Sequence, residues 1–146
     1  MDSSLLDTDI LSEVFKGRDF NVRARATEYR EFYGHYTTSM LTVLEIVKGF
    51  HKSRREDRIQ AFLATLPSEE VLTLDLASAE MAGRIHADLE LAGRPLGRID
   101  PMIAAIAICR GLTLVTGNEA HYEHIQQLGY SLKLDNWRQA GAHGEN

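Results

Sequence analysis

The stretch Leu5-Leu6-Asp7-Thr8-Asp9-Ile10-Leu11 joins a short apolar run to two acids and then to the start of a helical pattern. We expect a strand that ends at Asp7. In an open parallel sheet, ligands bind outside the carboxyl ends of the strands, so Asp7 is a candidate functional residue. Asp9 has the alternative role of an N-cap for the helix that follows.

The rest of the chain alternates short β-like runs with longer helical ones, as in crossover units that build a parallel sheet. Strands are predicted at 4–6, 35–38, 71–74, 112–116 and 131–134. Helices are predicted at 9–16, 21–33, 40–52, 55–66, 77–92, 101–110 and 119–128. The pattern predicts an α/β fold with a short central parallel sheet of four to five strands and helices on both faces. Residues 1–137 form one predicted domain, and 138–146 a flexible polar tail.

Composition limits the class of protein. With 146 residues, 44% hydrophobic and 25% charged, the chain has the size and composition of one globular domain. The net charge of −5 argues against a generally basic nucleic-acid coat, so a polyanion would be met locally. The single Cys109 excludes an internal disulfide and suits a reducing compartment. No leader-like start and no membrane-length apolar run occur, so we expect a cytoplasmic protein without membrane attachment.

Three more polar residues are candidates for the site. Glu45 interrupts an apolar helical stripe, Asp100 precedes Pro101, and Asn118 follows a strand and Gly117. Each also has an ordinary structural explanation: an ion pair with Lys48 for Glu45, and an N-cap for the other two.

The acids, if gathered at one sheet edge, would repel each other unless a divalent cation neutralised them. Oxygen ligands select Mg²⁺ or Mn²⁺, which activates water for phosphodiester hydrolysis. We therefore predict Asp7, Glu45 and Asp100 as catalytic metal ligands. Asn118 is predicted to orient a water or a ligand.

Five strings, in this order and over nearly the whole chain, resemble the PIN domain family and specifically its VapC type of bacterial toxin ribonuclease. They are Leu5-Leu6-Asp7-Thr8-Asp9-Ile10-Leu11, Thr42-Val43-Leu44-Glu45, Asp100-Pro101-Met102-Ile103-Ala104-Ala105, Leu114-Val115-Thr116-Gly117-Asn118 and Asp135-Asn136-Trp137.

The resemblance implies a three-layer PIN-like fold and a Mg²⁺- or Mn²⁺-dependent endoribonuclease that acts as a toxin. The family's acidic positions fall on Asp7, Glu45 and Asp100. A cognate VapB-type antitoxin and a homodimer are the implied partners. His121 stands where relatives often carry a further carboxylate, which leaves open whether one or two metal ions act.

Basic residues after Glu45 are the predicted RNA contacts: Lys48, Lys52, Arg54 and Arg55, with His51 and Arg58 beside them. A second basic cluster consists of Arg23, Arg25 and Arg30. Phosphate contacts of this kind are largely independent of base sequence, and a solvated helix face is the alternative for each member.

Two other functions remain open at this point. The His at position 121 favours a PIN-like binding module with weakened catalysis. The run Asp7-Thr8-Asp9 imitates the nucleophile and acid of a haloacid-dehalogenase-type phosphatase, which would form an aspartyl-phosphate.

Overall fold

The computed structural model describes residues 1–140 and contains five short strands and seven helices in that range. The strands are β1 (Ser4–Leu6), β2 (Thr37–Ser39), β3 (Glu70–Leu72), β4 (Thr113–Val115) and β5 (Leu134–Asp135). The helices are α1 (Thr8–Lys16), α2 (Phe20–Tyr33), α3 (Met40–Lys52), α4 (Glu56–Thr65), α5 (Leu76–Leu91), α6 (Ile99–Arg110) and α7 (Glu119–Gln127). A 3₁₀ turn at Leu66–Ser68 follows α4.

Local signals in the sequence set most helix ends. Asp19, Ser39 and Asp75 each accept a backbone N–H with the side chain and so cap α2, α3 and α5. Gly17 ends α1 in the left-handed conformation, with φ of 69°, where a residue with a Cβ would be strained. Each predicted helix is present, with its ends within one residue of the predicted ones or, for α6, two.

The strands form two parallel ladders. One sheet has the order β1-β4-β5, and a second pairs β2 with β3. β2 packs beside β1, and the Thr38 hydroxyl donates to the Leu6 carbonyl at 2.9 Å. The predicted α/β fold is confirmed, with its strands divided between these two ladders.

Helices cover both faces of the three-stranded sheet. Leu5 and Leu114 belong to a core with α5, α6 and α7, whereas Leu6 and Val115 belong to a core with α1, α2 and α3. Consecutive strand residues point to opposite faces, so adjacent residues of β1 and β4 supply the two cores. This arrangement gives the three layers.

The carboxyl ends of the strands meet at one edge. Asp7 follows β1, α3 starts directly after β2, and Thr116 and Gly117 follow β4. The parallel register, with Leu6 opposite Val115, puts Asp7 beside Thr116. This edge carries the candidate site.

The end of the described chain packs against the helices. The Asn21 amide donates to the Arg138 carbonyl at 2.9 Å, and the Arg138 guanidinium lies 3.5 Å from an Asp19 carboxylate oxygen. Arg138 was predicted to begin the polar tail, yet it contacts α2. Residues 141–146 of that tail lie outside the described residues. No helix within 1–140 combines the length and the apolar character that crossing a bilayer requires.

Candidate active site

Asp7 is the buried centre of the site. Its backbone N–H donates to the Val115 carbonyl at 2.9 Å and so continues the pairing of β1 with β4. Its Oδ1 accepts the Thr8 N–H at 2.8 Å, and its Oδ2 accepts the Thr116 hydroxyl at 2.9 Å. Asp7 is therefore the N-cap of α1. The alternative that gave this cap to Asp9 is wrong, because the helix starts one residue earlier than predicted.

Burial dominates the charge state of Asp7. The residue is only 7% exposed, and loss of hydration raises the pKa of its carboxyl from 3.8 to about 7. Its two hydrogen bonds act in the opposite direction, and the charges of Asp9 and Asp100 raise the pKa further. A buried carboxylate in this setting favours a positive counter-charge.

Asp9 supports the turn after β4. Its Oδ2 accepts the Gly117 N–H at 2.9 Å, while its Oδ1 is buried without a hydrogen-bond partner among the described residues. Burial raises the pKa of this carboxyl, and the Gly117 N–H and Arg138 oppose the rise. A Cβ at position 117 would lie 2.4 Å from Asp9 Oδ2, so only glycine permits this approach.

Glu45 reaches the site from α3. Its Oε1 accepts the Thr8 hydroxyl at 2.5 Å, which ties α3 to the start of α1. The alternative in which Glu45 pairs with Lys48 is wrong, because the ion pairs formed within 1–140 do not include these two residues. The acid inside the apolar stripe of α3 is thus aimed at the sheet edge.

Asp100 lies in the first turn of α6. The N-cap position belongs to Arg98, whose side chain makes no capping hydrogen bond, so the capping alternative for Asp100 is wrong. Its Oδ1 accepts the Tyr122 hydroxyl at 3.3 Å, and His121 Nδ1 lies 2.9 Å from its Oδ2, outside hydrogen-bond geometry. Burial raises the pKa of the Asp100 carboxyl, and Glu45 adds to the rise, whereas His121 and Tyr122 lower it.

Tyr122 is a site residue that the sequence analysis missed. Its side chain is fully buried on α7, and its hydroxyl faces the acids. Burial raises the pKa of this hydroxyl well above its usual value, and the charges of Asp7 and Asp100 contribute. Its helical spacing from buried Ile125 signals a core position, but nothing in the sequence reveals the contact with Asp100.

These contacts and mutual charge effects put Asp7, Glu45 and Asp100 in one neighbourhood. All three offer carboxylate oxygens, the donors that a hard divalent cation prefers. The chemistry of the residues therefore fits Mg²⁺ or Mn²⁺. Within 1–140, however, no three His, Cys, Asp or Glu side chains are already arranged to hold an ion. The metal-ligand assignment stays a prediction.

Comparison with known proteins decides the family. The sequence model described as PIN domain matches residues 4–126. The chain belongs to the PIN domain family. A protein named tRNA(fMet)-specific endonuclease VapC, from Shigella flexneri, is 34% identical, and the match covers 91% of this chain and 96% of that protein. A Salmonella typhimurium protein of the same name is 31% identical, with 81% and 90% covered.

Solved structures agree with this PIN domain assignment. The DNA-bound VapBC of Salmonella typhimurium matches with a TM-score of 0.78 at 30% identity, covering 94% of this chain and 99% of that one. VapBC-1 of nontypeable Haemophilus influenzae matches with a TM-score of 0.76 at 24% identity, with 93% and 98% covered, which shows the fold alone. The phosphatase alternative is wrong, because the chain belongs to the PIN domain family.

Asn118 occupies the N-cap position of α7 in this PIN domain. Its side chain makes no capping hydrogen bond, so the capping alternative is wrong. The backbone N–H of Asn118 donates to Thr116 Oγ1 at 3.1 Å, and that hydroxyl in turn donates to Asp7. Asn118 is exposed at the same edge as the acids, and its catalytic role stays a prediction.

The basic residues differ in availability. Lys48, Lys52 and Arg54 are exposed at and after the end of α3. Arg55 is held by Asp57 through two hydrogen bonds of 2.8 and 3.0 Å. The RNA contacts predicted at these four residues stay a prediction.

The second basic cluster is largely structural. Arg25 pairs with Asp135 at 2.7 Å, and Arg30 pairs with Glu69 while lying over the Tyr36 ring. These two side chains are engaged within the fold, which disfavours them as RNA contacts.

Proposed function

We propose that this PIN domain is the toxin of a VapBC-type pair, an endoribonuclease that hydrolyses RNA phosphodiester bonds. The observation that carries the proposal is the convergence of Asp7, Glu45 and Asp100 from β1, α3 and α6 at one edge of the sheet. Relatives that are 31% and 34% identical over most of the chain are named endonucleases, which supports a nuclease reaction.

Mg²⁺ or Mn²⁺ is the proposed cofactor, held by Asp7, Glu45 and Asp100. When bound, the ion supplies activation of a water and neutralisation of the phosphate charge. The chain's own side chains orient the ligands: Thr116 holds Asp7, Thr8 holds Glu45, and Tyr122 holds Asp100. The positive charge of the ion would also offset the cost of burying the ionised Asp7 carboxylate, which otherwise raises its pKa.

The substrate and partners follow from the relatives. Because two of them are named tRNA(fMet)-specific endonucleases, tRNA(fMet) is the first RNA to test. A VapB-type antitoxin is the proposed inhibitor, since the 30%-identical solved relative is described as a VapBC complex. The homodimer is proposed on the family resemblance alone, and light scattering of the purified chain tests it.

Asp100→Asn is the decisive variant for the nuclease. It keeps the side-chain volume and, because Asp100 is not a cap, leaves the start of α6 intact. We expect it to abolish Mn²⁺-supported cleavage of tRNA(fMet) and toxicity in cells with little change in melting temperature. Asp75→Asn is the matched control, since Asp75 caps α5 away from the site and asparagine caps equally well. Equal cleavage by Asp100→Asn and wild type in a nuclease-free preparation refutes the assignment.

A binding module with weakened catalysis is the second candidate. The contact of His121 Nδ1 with Asp100 Oδ2, at 2.9 Å, favours it because a histidine here replaces the expected negative charge. It predicts that wild type binds RNA without cleaving it and that His121→Asp gains cleavage. Full activity of wild type, reduced in His121→Asp, excludes this candidate.

A further inference from the structure

A surface groove between α1 and α3 starts at Glu45, beside the acidic site, and leads away from it. We call it the α1–α3 groove. Its volume is about 260 Å³. One wall carries Thr8, Ser12 and Lys16, and the other carries Glu45, Gly49 and Ser53. Each set advances by four residues, the spacing that puts side chains on one face of a helix.

The two ends of the groove differ in charge. At one end the Thr8 hydroxyl donates to Glu45, beside the acidic site. At the other end stands Lys16, eight residues further along α1, which corresponds to about 12 Å of helical rise. The groove therefore leads from the carboxylates to an ammonium group.

The groups beyond the acidic end suit an anion. Lys16 is exposed and takes part in none of the ion pairs formed within 1–140. The Ser53 hydroxyl donates its only hydrogen to the Gly49 carbonyl at 3.1 Å, so the lysines, and not Ser53, supply the contacts to an anion. Lys48 and Lys52 are exposed one position before Gly49 and Ser53. Ammonium groups are usual partners of phosphate oxygens.

Gly49 leaves the middle of the groove open. It lies inside α3, where glycine is less favourable than alanine. No packing explains it, because a Cβ built at position 49 meets no atom within 4 Å. Any larger side chain at this position would project into the groove. The missing side chain therefore provides a passage between the two helices.

We propose that the α1–α3 groove binds the phosphate backbone of single-stranded RNA leading to the cleavage site, with Gly49 as the opening and Lys16 as a phosphate contact. The inference rests on the proposed ribonuclease function and adds a substrate-binding surface to it. Contacts to phosphate carry no base information, so binding here is independent of sequence.

Gly49→Leu tests the opening, and Gly83→Leu is its matched control. Both glycines are exposed inside helices, and a Cβ at either position meets nothing within 4 Å. Both variants are made in the Asp100→Asn background, which prevents cleavage, and are titrated with a fluorescein-labelled oligouridylate by fluorescence anisotropy. We expect Gly49→Leu to weaken binding by about tenfold or more. Gly83→Leu should bind like its parent, and both variants should melt at or above the parent temperature.

Lys16→Gln tests the phosphate contact through salt. Loss of one phosphate contact should reduce the slope of log K against log salt by about 0.7 for a single strand. Lys133→Gln is the control, because Lys133 lies next to β5 and lines a different cavity. An unchanged slope in Lys16→Gln overturns its assigned role.

The outcomes separate this inference from the nuclease itself. Equal oligouridylate binding by Gly49→Leu and Gly83→Leu overturns the groove, as does an absence of binding by their parent, even if wild type cleaves RNA. The opposite result is also distinguishable. If wild type never cleaves RNA in Mn²⁺ but Gly49→Leu alone loses oligouridylate binding, the proposed nuclease function is refuted and the groove is supported as an RNA-binding surface.

Discussion

Replacing Asp7 with asparagine should stabilise the protein in a way that depends on pH. The Asp7 carboxyl has a pKa of about 7 in the fold, against 3.8 for an ordinary aspartate. At a pH between these two pKa values, Asp7 is protonated in the folded state and ionised in the unfolded state. The free energy of unfolding therefore falls by about 1.4 kcal/mol per pH unit as pH rises through this window. The shift of roughly three units corresponds to a destabilisation of about 4 kcal/mol, fully present above pH 7 and absent below pH 3.8.

In the Asp7→Asn variant the single amide oxygen can keep the cap of α1, while the amide NH₂ donates to the Thr116 hydroxyl oxygen, and the side chain carries no charge. In the presence of a chelator at pH 8, we expect the free energy of unfolding of Asp7→Asn to exceed that of wild type by up to about 4 kcal/mol. This corresponds to a rise on the order of 10 °C in melting temperature. The difference should close as pH falls to 4. Urea unfolding at pH 4, 5, 6, 7 and 8 measures it.

Asp57→Asn is the control for this experiment. Asp57 is exposed, and its hydrogen bonds with Arg55 lower its pKa to about 2, so it titrates below the window. The stability of the Asp57→Asn variant relative to wild type should not vary between pH 4 and 8. If the Asp7→Asn advantage is the same at pH 4 as at pH 8, the argument from burial is refuted.

Three further outcomes follow from the same contacts. Mn²⁺ at about a hundred times its Kd should stabilise wild type by about 2.7 kcal/mol, and calorimetry should show no such gain in Asp100→Asn. Gly117→Ala should lower stability by about 1–3 kcal/mol, because its Cβ displaces the Asp9 carboxylate; unaltered urea unfolding would contradict this contact. Thr38→Val should remove the bond to the Leu6 carbonyl and destabilise by a similar amount, and an unshifted urea midpoint would argue against that link between the two ladders.

The helices could be predicted closely because their signals are local. Capping residues and terminal glycines act within one turn, so α3 begins at the predicted residue, directly after its Ser39 cap. β2 is displaced by two residues from its predicted start, since a three-residue strand has almost no periodicity to read. Cys109 is exposed although it ends an apolar run, because that run of α6 continues past the buried face of the helix.

The three acids could be predicted because each stands at an element end or interrupts an apolar stripe. The choice between Asp7 and Asp9 as the cap of α1 could not be predicted, since a shift of the helix start by only two residues moves the cap from one acid to the other. The contacts of Tyr122 and His121 with Asp100 also depend on how α7 packs against the start of α6. Sequence spacing along one helix carries no information on that packing.

The hydrogen bond from Thr116 to Asp7 joins residues separated by 109 positions. During synthesis Asp7 therefore lacks this partner until the ribosome has added 109 further residues. A prematurely terminated product that lacks β4 would contain Asp7, Glu45 and Asp100 but not the strand that pairs with β1. Such fragments should cleave no RNA, and on the proposed toxin function toxicity should arise only after β4 has been added.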